Sequence, residues 1–130
     1  MEKYLLLKLG MNVSEVEKVL GQKIILERHR PDSKDLFYVD YTIGTYLCFT
    51  EDKTLDFISF KNTFSLAVDG IKIGMNMNEV KKIKGLAEKE EPSENFPELE
   101  EWFYPSKKLL ICLLIKKFMI LQSIILARNI

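Results

Sequence analysis

The sequence predicts an α+β fold of two tandem repeats, each a short helical segment followed by an antiparallel β-meander, packed as one compact unit. A nine-residue phrase at 10–18 returns with the same pattern at 74–82, an offset of 74 − 10 = 64 residues. Each copy is followed by three runs rich in β-branched and aromatic residues that are separated by turns. We therefore assign 1–63 to the first repeat and 64–130 to the second, within one structural domain.

The similarity between the two halves continues beyond this phrase in the same register. Tyr38 aligns with Trp102 at the same offset. After a predicted hairpin turn at 51–53 the second copy is two residues longer, so that Leu55 aligns with Leu121. Turns tolerate insertions best. The shared register indicates duplication and not chance similarity.

Each repeat begins with Gly-Met-Asn, and a short helix is predicted to follow. Asn12 stands at the N-cap position with Glu15 three residues later, and the second copy repeats the pair at Asn76 and Glu79. This is the capping-box pattern, in which the two side chains satisfy each other's free backbone N–H groups. A glycine, Gly21 and its counterpart in the second copy, is expected to end each helix.

Six strands are predicted from the apolar, β-branched and aromatic runs. The apolar stretch 109–126 contains Lys116 and Lys117 in its middle. A membrane span would bury both charges in lipid, so we interpret the stretch as a hairpin that turns at the lysines. The predicted strands are, in chain order, 36–41, 45–50, 54–60, 101–104, 109–115 and 118–126.

Bulk composition limits the classes of partner and the cellular location. The 19 Lys and Arg residues balance 19 Asp and Glu residues, so the overall charge predicts neither nucleic acid nor membrane as a partner. The first residues lack an apolar run long enough for a signal peptide, and a cytoplasmic location is expected. Cys48 and Cys112 occupy equivalent strand positions, where buried reduced thiols are favoured over a disulfide.

Residues that could carry catalysis or bind a metal are scarce. The single histidine, His29, lies between Arg28 and Arg30, and we predict a surface loop position for it. No metal-binding spacing and no phosphate-binding glycine loop occurs in the sequence. Carboxylate pairs lie in a polar stretch and not among apolar residues that would raise a pKa. The sequence therefore predicts a non-enzymatic protein without cofactor or metal.

The segment 88–101 contains seven glutamates and one lysine. It is either a solvated loop before the strand that carries Trp102, or an acidic arm that meets a basic partner through charge complementarity. In the second interpretation Phe96 is an apolar anchor within a polar loop. The candidate partner-binding residues of this segment are Glu90, Glu91, Glu94, Phe96, Glu98, Glu100 and Glu101.

Aromatic residues on the strands form a second group of candidates. By alternation Leu47 and Phe49 face one way, and Tyr46 and Cys48 face the other. If the first pair faces the helices, Tyr46 lies on the open face of the sheet, where tyrosine and tryptophan are frequent binding anchors. The other candidates of this group are Phe57, Trp102 and Tyr104.

The strand predicted at 109–115 shows no polar alternation, which implies that both of its faces are covered. Helices can cover one face. The first copy, a second subunit or a partner must cover the other, and the sequence leaves these three open.

The order of these motifs resembles the fold shared by the β-lactamase inhibitor proteins and the small lipoproteins of outer-membrane assembly. The resemblance spans nearly the whole chain, and its tandem arrangement is similar to that of the inhibitors. It implies that the sheet face away from the helices binds protein, and that an intracellular immunity protein is a plausible relative. The matching motifs are Gly74-Met75-Asn76, Glu79-Val80, Gly85, Trp102-Phe103-Tyr104, 109–113 and 118–124, together with their counterparts Gly10-Met11-Asn12, Glu15-Val16, Gly21, Phe37-Tyr38, 47–49 and 55–58 in the first copy.

The chain also departs from both groups. From these residues we expect neither a signal sequence nor a lipid-modified cysteine, and neither repeat holds a cysteine pair, so the known target and the membrane role are not expected to transfer. The leading hypothesis is an immunity-type protein of the bacterial cytoplasm that sterically covers the active cleft of a basic toxin or enzyme. The alternative is a structural or assembly module that forms a homodimer through the apolar strands of the second copy. A small enzyme with its site between the copies is the third hypothesis.

Overall fold

The computed structural model describes residues 1–61, 63–115 and 119–130 of this α+β protein. The described part contains two α-helices and a seven-stranded antiparallel sheet, which confirms the predicted α+β class and the antiparallel pairing. The predicted turn at Lys116-Lys117 and the predicted strand start at Phe118 lie outside the described residues. The elements are α1 Val13–Leu20, β1 Leu36–Asp40, β2 Thr45–Phe49, β3 Leu55–Phe60, α2 Met77–Lys84, β4 Lys89–Pro92, β5 Leu99–Tyr104, β6 Leu109–Leu114 and β7 Ile120–Ala127, with short 3₁₀ helices at Glu2–Leu6 and Pro105–Lys107.

The strands lie side by side in the order β1-β2-β3-β7-β6-β5-β4. Strand β7, near the end of the chain, is therefore the middle strand, and its pairing with β3 joins the two halves of the sheet. This seam runs from the pair Phe57 and Ala127 to the pair Phe60 and Ile124. Every neighbouring pair of strands is antiparallel.

Both helices begin with the predicted capping box. The Asn12 side chain accepts a hydrogen bond from the backbone N–H of Glu15 at 2.8 Å, and the Glu15 carboxylate accepts one from the backbone N–H of Asn12 at 3.1 Å. The same two bonds join Asn76 and Glu79, at 3.0 and 3.3 Å. Each pair satisfies two N–H groups that have no partner within the helix. Short local motifs of this kind fix where the helices start.

The helices pack on one face of the sheet, and alternation along the strands fills that face with apolar side chains. Leu47 and Phe49 are fully buried there, as the alternation predicts. The Nζ of Lys81 on α2 lies 5.1 Å from the centre of the Trp102 ring, and the Tyr104 hydroxyl donates to the carbonyl oxygen of Gly85 at 3.1 Å. The interior of the protein therefore lies between this face and the two helices.

Trp102 and Tyr104 belong to this interior, which corrects their place among the candidate binding anchors at the surface. They are only 1% and 2% exposed. Trp102 lies opposite Ile111, and Tyr104 lies opposite Leu109, both of which are fully buried. Directly opposite residues share a face of the sheet, so the register of β5 against β6 sends both aromatic side chains toward the helices.

The acidic segment is not simply a loop before β5, because Lys89–Pro92 forms an edge strand that pairs with β5. Glu90 lies opposite Trp102, and Glu91 lies opposite Glu101. Glutamate, lysine and proline are all uncommon in strands, so composition argued against a strand here. The same residues are common on edge strands, since charge and proline discourage pairing with a further chain. The segment is thus a hairpin at one edge of the sheet.

The two cysteines lie far apart on the sheet. Cys48 is on β2 and Cys112 on β6, with β3 and β7 between them, and both thiols are free. Three strand spacings amount to about 14 Å, at roughly 4.8 Å each. A disulfide needs its two Cα atoms within about 7 Å. A disulfide within one chain is therefore excluded by the strand order.

Candidate binding surface on the open sheet face

The sheet face opposite the helices, called the open face below, carries the side chains that alternate with the buried ones. Its aromatic and aliphatic residues retain partial exposure, because neither helix lies over them. Ile125, on the middle strand, lies between Ser59 of β3 and Leu110 of β6. The register places on this face Phe37, Val39, Tyr46, Cys48, Phe57, Ser59, Leu99, Glu101, Phe103, Leu110, Cys112, Leu114, Ser123 and Ile125.

The middle of the open face is concave and encloses a cavity of ≈ 540 Å³. The turn between β4 and β5 contributes to one wall, and β2 and β3 contribute to the opposite wall. This central cavity brings together five of the candidates predicted from sequence, Tyr46, Phe57, Phe96, Glu98 and Glu101. Its remaining lining residues are Ser59, Lys61, Ser93, Leu99, Cys112, Gln122, Ser123 and Ile125.

Aromatic rings pack against one another on the β1–β2 side of the open face. The His29 ring stacks on Phe37 with ring centres 4.1 Å apart, and its Nε2 lies 2.7 Å from the Tyr46 hydroxyl. Tyr46 also meets Phe57 edge-on at 6.0 Å. Burial raises the pKa of Tyr46 well above its usual range, so the phenol stays neutral and can serve as a hydrogen-bond donor. His29 is exposed, as predicted, but it also holds its loop against this face.

The opposite side of the open face is acidic. Glu101 lies directly across the strand pair from Glu91, and like charges in such positions repel. Burial first, and then the nearby charges of Glu91 and Glu94, raise the pKa of Glu101. Lys89 forms a salt bridge to Glu91 at 3.1 Å, and Glu101 forms none with the described residues. One partly buried carboxyl of the cavity therefore lies among like charges.

The remaining acidic candidates lie at different places on the hairpin. Glu100 faces the helix side, where its Oε1 accepts a hydrogen bond from the Trp102 indole N–H at 3.3 Å. Glu90 is exposed at the outer edge, across from Trp102. Glu94 and Phe96 lie in the turn, and Phe96 is 55% exposed although it also lines the cavity. Only part of the acidic segment therefore contributes to the open face.

The cavity floor is polar but shows no arrangement for nucleophilic catalysis. Cys112 and Ser123 lie side by side there, and both are nearly fully buried. Burial raises the pKa of the Cys112 thiol, which keeps it protonated, whereas a nucleophilic cysteine needs a lowered pKa. Within residues 1–61, 63–115 and 119–130, no group of three or more His, Cys, Asp or Glu side chains is arranged to hold a metal ion.

None of the helices described is both long and apolar enough to cross a membrane. No protein family, curated protein or solved structure matches this chain. The resemblance to the inhibitor and lipoprotein folds therefore stays a prediction from the sequence motifs.

Several residues of the open face could not be assigned from the sequence. Strand β7 reads as a nearly continuous apolar run, and a register shift at Cys112 and Leu113 interrupts the alternation between β6 and β7. The position of Ile125 at the centre of the open face thus depends on which strands pair. The sequence offers one signal for this face, the serines Ser59 and Ser123 within otherwise apolar strands. A polar residue in such a strand indicates the side that faces away from the helices. Both serines are nevertheless buried in the structure.

The position of Glu101 leads to a prediction about stability and pH. The raised pKa means that the folded state binds the proton of Glu101 more tightly than the unfolded state does, so this carboxyl makes stability fall as pH rises above about 4. Glu101→Gln is expected to raise the free energy of unfolding at pH 7 by roughly 0.2–1 kcal/mol, the size of a cross-strand like-charge repulsion. The gain should disappear near pH 4. Urea unfolding at both pH values measures it.

The exposed Glu88 at the start of the same hairpin provides the control, since it lies outside the cavity. Glu88→Gln should change stability by less than about 0.5 kcal/mol at either pH. A loss of stability at pH 7 on replacing Glu101 would contradict the prediction.

Proposed function

We propose that this chain is a non-enzymatic protein-binding module whose open face docks onto a protein target. One observation carries the proposal: partly exposed aromatic and aliphatic side chains surround a central cavity on a sheet face that neither α-helix of the described residues covers. The leading version is an immunity-type inhibitor of the bacterial cytoplasm that covers the active cleft of a basic toxin or enzyme.

The residue types on this face support binding to protein. Tyrosine and phenylalanine anchors around a central pocket, with polar groups at the rim, are characteristic of interface hot spots. Tyr46 and Phe57 are of this kind, and Phe96 extends the apolar surface onto the hairpin turn. Contiguous apolar patches of this sort on a water-soluble protein typically mark an interaction site.

The distribution of charge supports a basic target. The whole chain is formally neutral, yet seven glutamates and one lysine are concentrated in 88–101, at one edge of the sheet. Segregated charge of one sign speeds association with a partner of the opposite sign and disfavours other partners. A cationic active cleft, as in enzymes that act on phosphate-containing substrates, would meet both the acidic hairpin and the apolar face.

We also propose that the fold arose by duplication of one helix-and-meander unit, with copies at 1–63 and 64–130. Matched backbone contacts support this. Gly10 donates to the carbonyl oxygen of Leu55 at 2.7 Å, and Gly74 donates to that of Leu121 at 2.9 Å. These pairs correspond at the offsets of 64 and 66 residues found in the sequence. A tandem arrangement of this kind is what the resemblance to the β-lactamase inhibitor proteins implies.

The alternative function is a structural or assembly module in which a second copy of the chain covers the open face. The same half-exposed apolar side chains favour it, because burying them between two identical chains would also remove them from water. The acidic edge has no evident role in this alternative.

Affinity capture with the wild type and two variants tests the proposal. The chain is co-expressed with the genes that flank its own, and complexes are compared for the wild type, Ile125→Lys and Leu86→Lys. Ile125 lines the central cavity, whereas Leu86 is 78% exposed and lies outside its lining, so the two substitutions match in chemistry and differ in place. We expect one protein, in stoichiometric amount, with the wild type and Leu86→Lys but not with Ile125→Lys. Ile125→Lys should remain folded by circular dichroism.

Two results would count against the proposed function. Equal capture of the partner by both lysine variants would remove the open face from the interface. A homogeneous dimer of the wild type in light scattering, converted to monomer by Ile125→Lys and without any captured protein, would favour the structural alternative.

A further inference from the structure

We propose that the central cavity receives one lysine or arginine side chain of the protein partner, with Glu101 as its counter-charge. This inference rests on the proposed function and names the chemistry that the partner must present. It concerns the cavity itself and not the acidic hairpin as a whole.

The shape and lining of the cavity fit a long side chain with a charged end. Tyr46, Phe57 and Ile125 provide apolar wall, against which the methylene groups of lysine or arginine can pack. Tyr46 and Phe57 are aromatic, and aromatic rings attract a cation placed over the ring face. Ser59 and Ser123 lie in the floor, nearly fully buried, and supply hydroxyl oxygens that can accept hydrogen bonds from N–H donors.

The electrostatics of the cavity favour a cation near Glu101. Glu101 is partly buried, lies directly opposite Glu91 and near the charge of Glu94, and forms no salt bridge with the described residues. The nearby Lys89 is engaged by Glu91 on the exposed edge. An incoming cation would therefore relieve a repulsion that exists in the free protein. Such an interaction raises the affinity for a partner that presents a cation and lowers the affinity for one that presents a neutral or acidic side chain.

One cation, and not several, fits the lining. Lys61, which is exposed, also lines the cavity. Its charge opposes a second cation on that side. The described residues supply no group of three metal-ligating side chains, so an amine or guanidinium suits the cavity better than a metal ion does.

Small probes can test this inference without knowledge of the partner. The ¹⁵N-labelled chain is titrated with N-acetyl-arginine methylamide, with the lysine equivalent and with the neutral citrulline equivalent. We expect the arginine or the lysine probe to shift the amide signals of Phe57, Glu101 and Ile125 together, with millimolar affinity. Citrulline, which keeps the shape of arginine but lacks its charge, should bind at least about fivefold more weakly.

Two variants make the titration decisive. Glu101→Gln should weaken the cationic probe at least about fivefold, whereas the matched control Glu88→Gln should leave it unchanged. The inference would be overturned by equal binding of citrulline, by undiminished binding to Glu101→Gln, or by signal shifts confined to the hairpin turn around Glu94.

The outcome is separable from that of the proposed function. If no cationic probe binds while Ile125→Lys still abolishes capture of a protein partner, the cation site is wrong and protein binding by the open face stands. If the probes bind as expected while no partner is captured by the wild type, the cavity chemistry stands and the proposed function falls.

Discussion

Replacing Trp102 with alanine is expected to lower the free energy of unfolding by about 3–5 kcal/mol, the typical cost of removing a large aromatic side chain from a packed interior. Trp102, on β5, is 1% exposed with Lys81 of α2 over its ring, and its indole N–H donates to Glu100. The total free energy of unfolding of a small domain is roughly 5–15 kcal/mol, so this substitution would remove a large share of the stability. Urea unfolding followed by far-ultraviolet circular dichroism measures the loss.

Phe96→Ala is the informative comparison, since Phe96 was another large aromatic candidate in the same part of the sequence. It is 55% exposed, so its replacement should change stability by less than about 0.5 kcal/mol. Trp102→Phe, which keeps most of the volume, should cost clearly less than the alanine variant. Similar losses of stability on replacing Trp102 and Phe96 would contradict the placement of Trp102 in the interior and of Phe96 at the surface.

Neutralising the acidic hairpin is expected to slow association with a basic partner by about tenfold or more at low salt, because steering by opposite charge acts mainly on the association rate. The triple variant Glu90→Gln, Glu94→Gln and Glu98→Gln removes three charges from the hairpin and leaves unchanged Glu91 and Glu101, the carboxyl proposed to meet the cation. The dissociation rate should change much less. Stopped-flow association at increasing salt measures the effect, which should shrink as the Debye length falls.

A control with the same change in net charge is available elsewhere on the surface. Glu2, Asp32 and Glu51 are exposed and lie outside the hairpin, and their conversion to amides should leave the association rate within about twofold. If both triple variants slow association equally, net charge and not the location of the charge governs the rate. If neither does, the partner is not basic.

Features decided by a few neighbouring residues could be predicted from the sequence. The capping boxes at Asn12 and Asn76 were predicted because all of their atoms lie within four residues of each other. The faces of β2 were predicted because strict alternation placed Leu47 and Phe49 together. In these cases local geometry alone determines the outcome.

Features decided by pairing between distant strands could not be predicted in this way. The run Trp102-Phe103-Tyr104 is aromatic at every position, so its inward and outward residues are set only by the register against β6. Strand β4 has a composition unlike that of most strands and forms because its backbone pairs with that of β5. The candidate site shares this dependence, since the central cavity forms where β2, β3, β5, β6 and β7 come together.

The pairing of β3 with β7 determines what two fragments would form if the chain were cleaved between its halves. A cut in the connection between β3 and α2 would leave two fragments, one ending its sheet at β3 and the other at β7. Each fragment would have an unpaired edge strand with unsatisfied backbone hydrogen-bonding groups and newly exposed apolar side chains. The edge strand of the other fragment complements it best. The two fragments would therefore reassociate by strand complementation between β3 and β7, as the fragments of a split protein do.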